Sequence, residues 1–255
     1  MSWNGRFIWH DLMTTQREVA AAFYTELFGW KLDEMKMGPF RISLITVGNR
    51  RVGSLMQENH LPHSHWVPHV AVDDVDAACR WVGEIGGKVC IGAGEVPQLG
   101  RFAMIEDPQG AVFWVLKRPA NRLPPPETPD TLAPLGSFVW DELLTSDPEA
   151  VVPFYRTLFN WNIEKIDMGP KPHWLVKQGT RDFAGILQQP SGDRPSWMAY
   201  VSVAETDAAT DRATQLGAKV LVAPRDIPDV GRFSVIADPT GAALALYRHG
   251  PRSTT

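Results

Sequence analysis

Two acidic side chains stand at matched positions in this chain, each two residues beyond a tryptophan: Asp11 after Trp9, and Glu142 after Trp140. A carboxylate buried beside an indole has its pKa raised, and it can then give or take a proton near neutral pH. The structural alternative is an acid that accepts hydrogen bonds from backbone or arginine. His69 is a third candidate, either a lone general base or a hydrogen-bonded histidine. Arg101 and Arg232 each follow a glycine and could fork onto a ligand carboxylate. They could equally pair with Glu106, Asp107 or Asp238 and fix a loop, which is the preferred reading because each arginine travels with its turn. His60, His63 and His65 share one loop but lack cysteine partners and the i, i+4 spacing of a zinc site.

These residues sit in a frame that is written twice, at a constant offset of 131 residues. Trp9-His10-Asp11-Leu12 is answered by Trp140-Asp141-Glu142-Leu143, and Phe23-Tyr24 by Phe154-Tyr155. Gly100-Arg101-Phe102 and Asp107-Pro108-Gln109-Gly110 return as Gly231-Arg232-Phe233 and Asp238-Pro239-Thr240-Gly241. A long repeat with even spacing means two copies of one folding unit. The boundaries read as a first domain at 6–118, a proline-rich linker at 119–136 and a second domain at 137–248, with a frayed tail from Gly250.

Within each copy the hydrophobic period alternates twice between strand and helix, giving βαβββ followed by βαβββ. Thr15 to Glu18 and Ser146 to Glu149 read as capping boxes that open the first helix of each copy. Asp74 precedes the second helix of the first copy. Strand alternation sends Trp9, Asp11 and Met13 to one face and Ile8, His10 and Leu12 to the other. By the same rule Trp140 and Glu142 share a face, His69 is opposite Val70 and Val72, and Trp114 joins His69. Trp66 and Trp197 read as core aromatics.

Composition bounds the function. The 255 residues carry a net charge of −4 with a pI near 6.0, which provides no basic field for nucleic acid. Only two cysteines occur, Cys79 and Cys90, both in the first copy, so no disulfide framework is indicated. No apolar run is long enough to span a membrane and the N-terminus lacks a secretory core, so a cytoplasmic location is expected. Ten tryptophans need either a core or a pocket.

The run from Ala21 to Trp30, the His69-to-Asp73 strand, and the paired Gly-Arg-Phe and Asp-Pro-x-Gly-Ala segments resemble vicinal-oxygen-chelate domains. This is the glyoxalase/bleomycin-resistance/extradiol dioxygenase superfamily, and the tandem arrangement is similar to glyoxalase-like mycobacterial culture-filtrate proteins. The resemblance implies an α+β fold of two tandem domains, each a pair of βαβββ modules forming a curved half-barrel sheet with helices outside. It also implies a four-residue metal-ligand set. At those positions the first copy has Trp9, the Ser54–Met56 segment, His69 and Trp114; the second has Trp140, the Gly185–Leu187 segment, Tyr200 and Ala245. One ligand of four is present in the first copy and none in the second, so no cofactor is expected and a divalent metal is disfavoured.

The expectation is a binding protein for a small apolar or aromatic molecule, with a concave aromatic pocket in each domain. Trp9, Met13, Trp114, Trp140, Tyr200, Arg101 and Arg232 would line the pockets, and Asp11, Glu142 and His69 would carry any chemistry. A monomer or homodimer without nucleic-acid or membrane partners is expected. The alternative is a lyase, isomerase or dioxygenase of the same superfamily, working through metal or acid–base residues. A third reading, a protein-docking surface, would need exposed tryptophans among Trp3, Trp81 and Trp161. Whether the pockets combine modules within or between repeats stays open at this level.

Overall fold

A computed structural model describes residues 4–37, 40–96, 99–119, 133–167, 172–179, 181–189 and 192–250. Residues 120–132 of the expected linker, the tail at 251–255 and Trp3 lie outside them.

The first module contains β1 (Phe7–Thr14), α1 (Arg17–Phe28), β2 (Lys31–Met37), β3 (Phe40–Val47) and β4 (Arg50–Gln57). The next contains β5 (His65–Ala71), α2 (Val75–Glu84), β6 (Lys88–Val96), β7 (Gly100–Glu106) and β8 (Val112–Lys117). The second copy repeats this as β9 (Phe138–Thr145), α3 (Pro148–Phe159), β10 (Asn162–Asp167), β11 (Pro172–Gln178) and β12 (Arg181–Gln188). It closes with β13 (Ser196–Ser202), α4 (Thr206–Gln215), β14 (Lys219–Ile227), β15 (Gly231–Ala237) and β16 (Ala243–His249). The two mixed sheets run β2-β3-β4-β1-β5-β8-β7-β6 and β10-β11-β12-β9-β13-β16-β15-β14, and neither closes into a barrel. The pairs β1–β4, β5–β8, β9–β12 and β13–β16 are parallel. The hairpin pairs are antiparallel, as short connections require.

By compactness the chain divides into Met1–Trp9, Val67–Pro129 and Trp140–Trp197 as one unit, and His10–Trp66, Asp130–Val139 and Met198–Thr255 as the other. Each unit has its own core, built from one module of each copy. In the first unit Val70, Val82, Ile105 and Phe113 pack with Val151, Phe154, Tyr155 and Ile163. In the second, Leu12, Phe23, Ile45 and Leu55 pack with Val201, Ala213, Ile236 and Leu246. Full burial of each valine, leucine, isoleucine or phenylalanine among them contributes roughly 1.5–3 kcal/mol.

Each core contains the same polar lock. The Tyr155 hydroxyl donates to Asp107 Oδ2 at 2.9 Å and accepts from Trp197 Nε1 at 3.1 Å. Asp107 Oδ1 accepts the amides of Gln109 and Ala111, which shapes the Asp-Pro-x-Gly turn. In the other unit Tyr24, Asp238 and Trp66 repeat the arrangement, with Thr240 and Ala242 donating their amides. Trp66 and Trp197 are therefore core aromatics with satisfied indoles.

The helix starts correct the sequence reading. The N-cap of α1 is Gln16, which makes no side-chain cap bond, and the Arg17 amide is met by Gln57 Oε1 from β4 at 3.2 Å. The N-cap of α3 is Asp147, which accepts from the Ala150 amide, with Pro148 at the first helical position. Ser146 instead donates to Gln109 Oε1. A side chain brought in by tertiary folding outcompetes the local capping box in α1. Asp74 does cap α2, through the Ala77 amide. No helix among the described residues is long and apolar enough to cross a membrane.

Candidate functional site

Alternation in the strands sorts the candidate residues as the sequence suggests. Leu12, Val70, Val115 and Leu143 enter the cores beneath the helices. Asp11, His69, Trp114 and Glu142 therefore emerge on the helix-free faces. In the first unit, β5 and β8 pair His69 directly with Trp114. Their rings stack with centroids 5.7 Å apart, and Phe102 meets Trp114 edge-on at 5.4 Å. Trp114 is 7% exposed, and its buried Nε1–H has no acceptor among the described residues. A buried donor left unsatisfied costs about 1–3 kcal/mol. Trp9, also in this unit, carries the Arg118 guanidinium over its ring at 4.6 Å.

The two matched acids meet different neighbours. In the second unit Asp11 Oδ1 accepts a 2.5 Å hydrogen bond from Ser54 Oγ, in direct register on β4. The position equivalent to Ser54 in the other copy is Gly185, in register with Glu142. There Glu142 Oε1 lies 2.8 Å from His173 Nε2. This is ion-pair distance, yet Nε2 makes no hydrogen bond of acceptable geometry, because the ring N–H direction misses the oxygen. The contact is electrostatic in this geometry. Glu142 is 6% exposed, while Trp140 and His173 are partly exposed around the same point. A side chain at Gly185 would begin 2.7 Å from His173 Nε2, 2.8 Å from Glu142 Oε1 and 3.3 Å from Trp140. His173 was not among the candidates read from sequence, because its counterpart in the first copy is Ile42.

Tyr200 gathers a second aromatic group, with Phe233 and Tyr247 at ring separations of 6.1 and 6.3 Å. Met13 pairs in register with Met56 at the end of β1.

Arg101 and Arg232 do not join these faces. Arg101 shares its side of β7 with the core residues Ala103 and Ile105, and its fork holds Asp76 in the first turn of α2 at 2.7 and 2.6 Å. Arg232 holds Asp207 of α4 in the same way at 2.6 and 2.9 Å, and adds Asp226. The hydrogen bond to Asp76 is the main reason the Arg101 guanidinium is raised, and the same bond is first among the causes lowering the Asp76 carboxyl. The partners are helix residues, not Glu106, Asp107 or Asp238, because each β7-type strand starts beside the helix of its own module.

In the histidine loop, His65 Nδ1 lies 3.1 Å from the His63 carbonyl oxygen. Among the described residues no three His, Cys, Asp or Glu side chains converge so as to hold a metal ion. A separate polar depression of about 640 Å³ lies at the start of α1, lined by Thr15, Arg17, Gln57 and His60 among others, and contains none of the expected pocket residues. Of the tryptophans proposed for docking, Trp161 is buried, Trp81 is 53% exposed and Trp3 lies outside the described residues.

Residues 7–115 match the family described as glyoxalase/bleomycin resistance protein/dioxygenase superfamily, and residues 137–247 match a glyoxalase-like domain. The chain is 31% identical over 255 residues to CFP32, a proposed glyoxylase of Mycobacterium tuberculosis, covering 96% of this chain and 95% of that protein. It is 30% identical over 263 residues to the anthracycline biosynthesis protein DauV of a Streptomyces species, covering 93% and 91%. Among solved structures, the Mn(II)-bound glyoxalase from Novosphingobium aromaticivorans superposes with a TM-score of 0.68 at 16% identity, covering 97% of this chain and 83% of that one. The 2,2',3-trihydroxybiphenyl 1,2-dioxygenase of Sphingomonas wittichii gives 0.66 at 14%, covering 97% and 91%. At these identities the structural likeness speaks to fold alone.

Proposed function

Because the chain belongs to the glyoxalase/bleomycin resistance protein/dioxygenase superfamily, we propose that it binds a small, flat, apolar or aromatic molecule on the helix-free faces of its sheets. The observation that carries this reading is the buried, unpaired indole N–H of Trp114, stacked against His69 and flanked by Phe102. Stacked rings supply an apolar surface, and one directed donor fixes the orientation of what lies on it. Tyr200, Phe233 and Tyr247 form the corresponding aromatic group in the second copy. A relative named for anthracycline biosynthesis supports the aromatic class.

The same proposal holds that the family's metal-binding function is lost in this chain. Trp9, Ser54, His69 and Trp114 offer one imidazole, and Trp140, Gly185, Tyr200 and Ala245 offer no imidazole or carboxylate. A divalent ion held usefully by protein needs about three such ligands. These residues do not fit the metal, and no step is routed through one.

The test is titration of the full chain with anthraquinone-2-sulfonate in excess chelator, followed by tryptophan fluorescence. Saturable quenching, weakened in Trp114→Phe, supports the reading. A chain that binds only after metal is restored favours the alternative, a metal-dependent lyase, isomerase or dioxygenase, and elemental analysis of tag-free protein would identify the ion.

A further inference from the structure

Glu142 and His173 are two strands apart. β11 and β9 flank β12, and the two side chains reach toward each other over Gly185. Strands two apart are separated by roughly 9.5 Å, so two long side chains can meet only if the strand between them presents no side chain on that face. Gly185 supplies that opening, since any Cβ there would touch both groups. The first copy, at the same positions, has Ile42, Asp11 and Ser54, and its acid is satisfied by the serine hydroxyl. The second copy has thus exchanged a hydrogen-bonded acid for a carboxylate facing an imidazole.

A buried carboxylate beside an imidazole is a proton-accepting arrangement. The carboxylate stabilises the imidazolium that forms when the ring's other nitrogen takes a proton. Here the carboxylate is buried, while His173 and Trp140 are each partly exposed. An acidic hydroxyl attached to an aromatic ring would meet both features, the ring against Trp140 and the hydroxyl at the imidazole.

We propose that Glu142 and His173 form a proton-accepting site for an aromatic hydroxyl, a phenol or enol, in the second copy. The O–H bond breaks, its electron pair stays on oxygen, and the proton goes to His173 Nδ1. The Glu142 carboxylate then faces an imidazolium at Nε2, and a small ring rotation aligns that N–H with the carboxylate. No oxidant or further reactant is involved. The proposal deepens the binding reading, on which it rests for the existence of an aromatic ligand, by naming a group that the ligand carries.

The probe is 4-nitrophenol, whose ionised form absorbs in the visible, added to the full chain at a pH where most of it is neutral in water. Saturable growth of the phenolate band with protein concentration is expected. His173→Gln and Glu142→Gln should each reduce the bound phenolate about tenfold, the equivalent of one pKa unit in the bound phenol. Gly185→Ala, which wedges a methyl group between the pair, should do the same. Near-UV circular dichroism establishes that each variant is folded, and His173→Gln alone decides if the buried Glu142 variant is not. The proposal is overturned if the phenol binds but stays neutral, or if the phenolate band persists in His173→Gln. The same wild-type sample is titrated with anthraquinone-2-sulfonate, which carries no hydroxyl. Sulfonate binding without phenolate strikes down the proton-accepting pair and leaves the binding reading intact; absence of both strikes down the binding reading itself.

Discussion

The Tyr155 hydroxyl donates to Asp107 Oδ2 at 2.9 Å, joining the first helix of the second copy to the Asp-Pro-x-Gly turn of the first. Tyr24 and Asp238 make the reciprocal bond inside the other unit. Retention of Tyr, Trp and Asp at one offset in both copies thus has a mechanical cause: each unit's core is locked by a residue from each copy. Burial pushes the Asp107 carboxyl up, against hydrogen bonds from Ala111, Gln109 and Tyr155 that pull it down.

Removing that hydroxyl should therefore have a pH-dependent cost. Tyr155→Phe should lower stability near neutral pH by about 1.5–3 kcal/mol, the range for a hydrogen bond to a charged group. An acid whose folded pKa is raised favours the folded state most when protonated, and this advantage is lost as pH rises from the ordinary carboxylate range through the raised value. Losing the tyrosine raises that value further. The stability gap between wild type and variant should accordingly widen as pH rises from the ordinary carboxylate range and narrow in acid. Urea denaturation across pH checks this, and a gap that stays flat or widens in acid would contradict the assignment.

Arg101 gives a second prediction. Its hydrogen bond is the principal cause lowering Asp76, so Arg101→Ala should return that carboxyl toward its ordinary value, visible by NMR titration. A depressed carboxylate pKa contributes stability above its unfolded value, and the contribution is lost as pH falls through the folded value. The variant's deficit should thus be largest near neutrality and vanish in acid. Aromatic binding should change by less than about twofold, since the fork faces the helix and exposed pairs contribute little. A large loss of binding would return Arg101 to the ligand.

Much of this frame was legible in the residues. The alternation of β1 placed Leu12 in a core and Asp11 opposite it because a strand with one buried face has a period of two. The same rule put Val70 and Val72 opposite His69. What remained hidden was partnership across strands. Nothing local to Arg101 says that α2 starts beside it, and nothing local to Arg17 says that Gln57 will meet its amide. His173 was invisible for a further reason: the repeat directs attention to positions the copies share, and Ile42 stands in its place. The sheet order over Gly185 reveals it.

Ser54 and Asp11 supply a third prediction. The 2.5 Å bond from Ser54 Oγ is a charge-assisted one if Asp11 is ionised. Ser54→Ala should lower stability at neutral pH by about 1–3 kcal/mol, because a buried carboxylate loses a donor. Ser54→Gly, imitating the second copy, should cost at least as much, since Ile42 brings no polar group to Asp11 where His173 faces Glu142. Thermal and urea unfolding measure both, and a stability-neutral Ser54→Ala would show that Asp11 is satisfied without the serine.

The central claim is that Trp114 presents an aromatic face and an unpaired donor to a small molecule without any metal. It is tested most directly by titrating wild type and Trp114→Phe with anthraquinone-2-sulfonate in excess chelator, reading tryptophan fluorescence. Saturable quenching of the wild type is expected, with affinity reduced about three- to tenfold in Trp114→Phe through loss of one hydrogen bond. Quenching that is absent under chelation and returns with added divalent metal would contradict it.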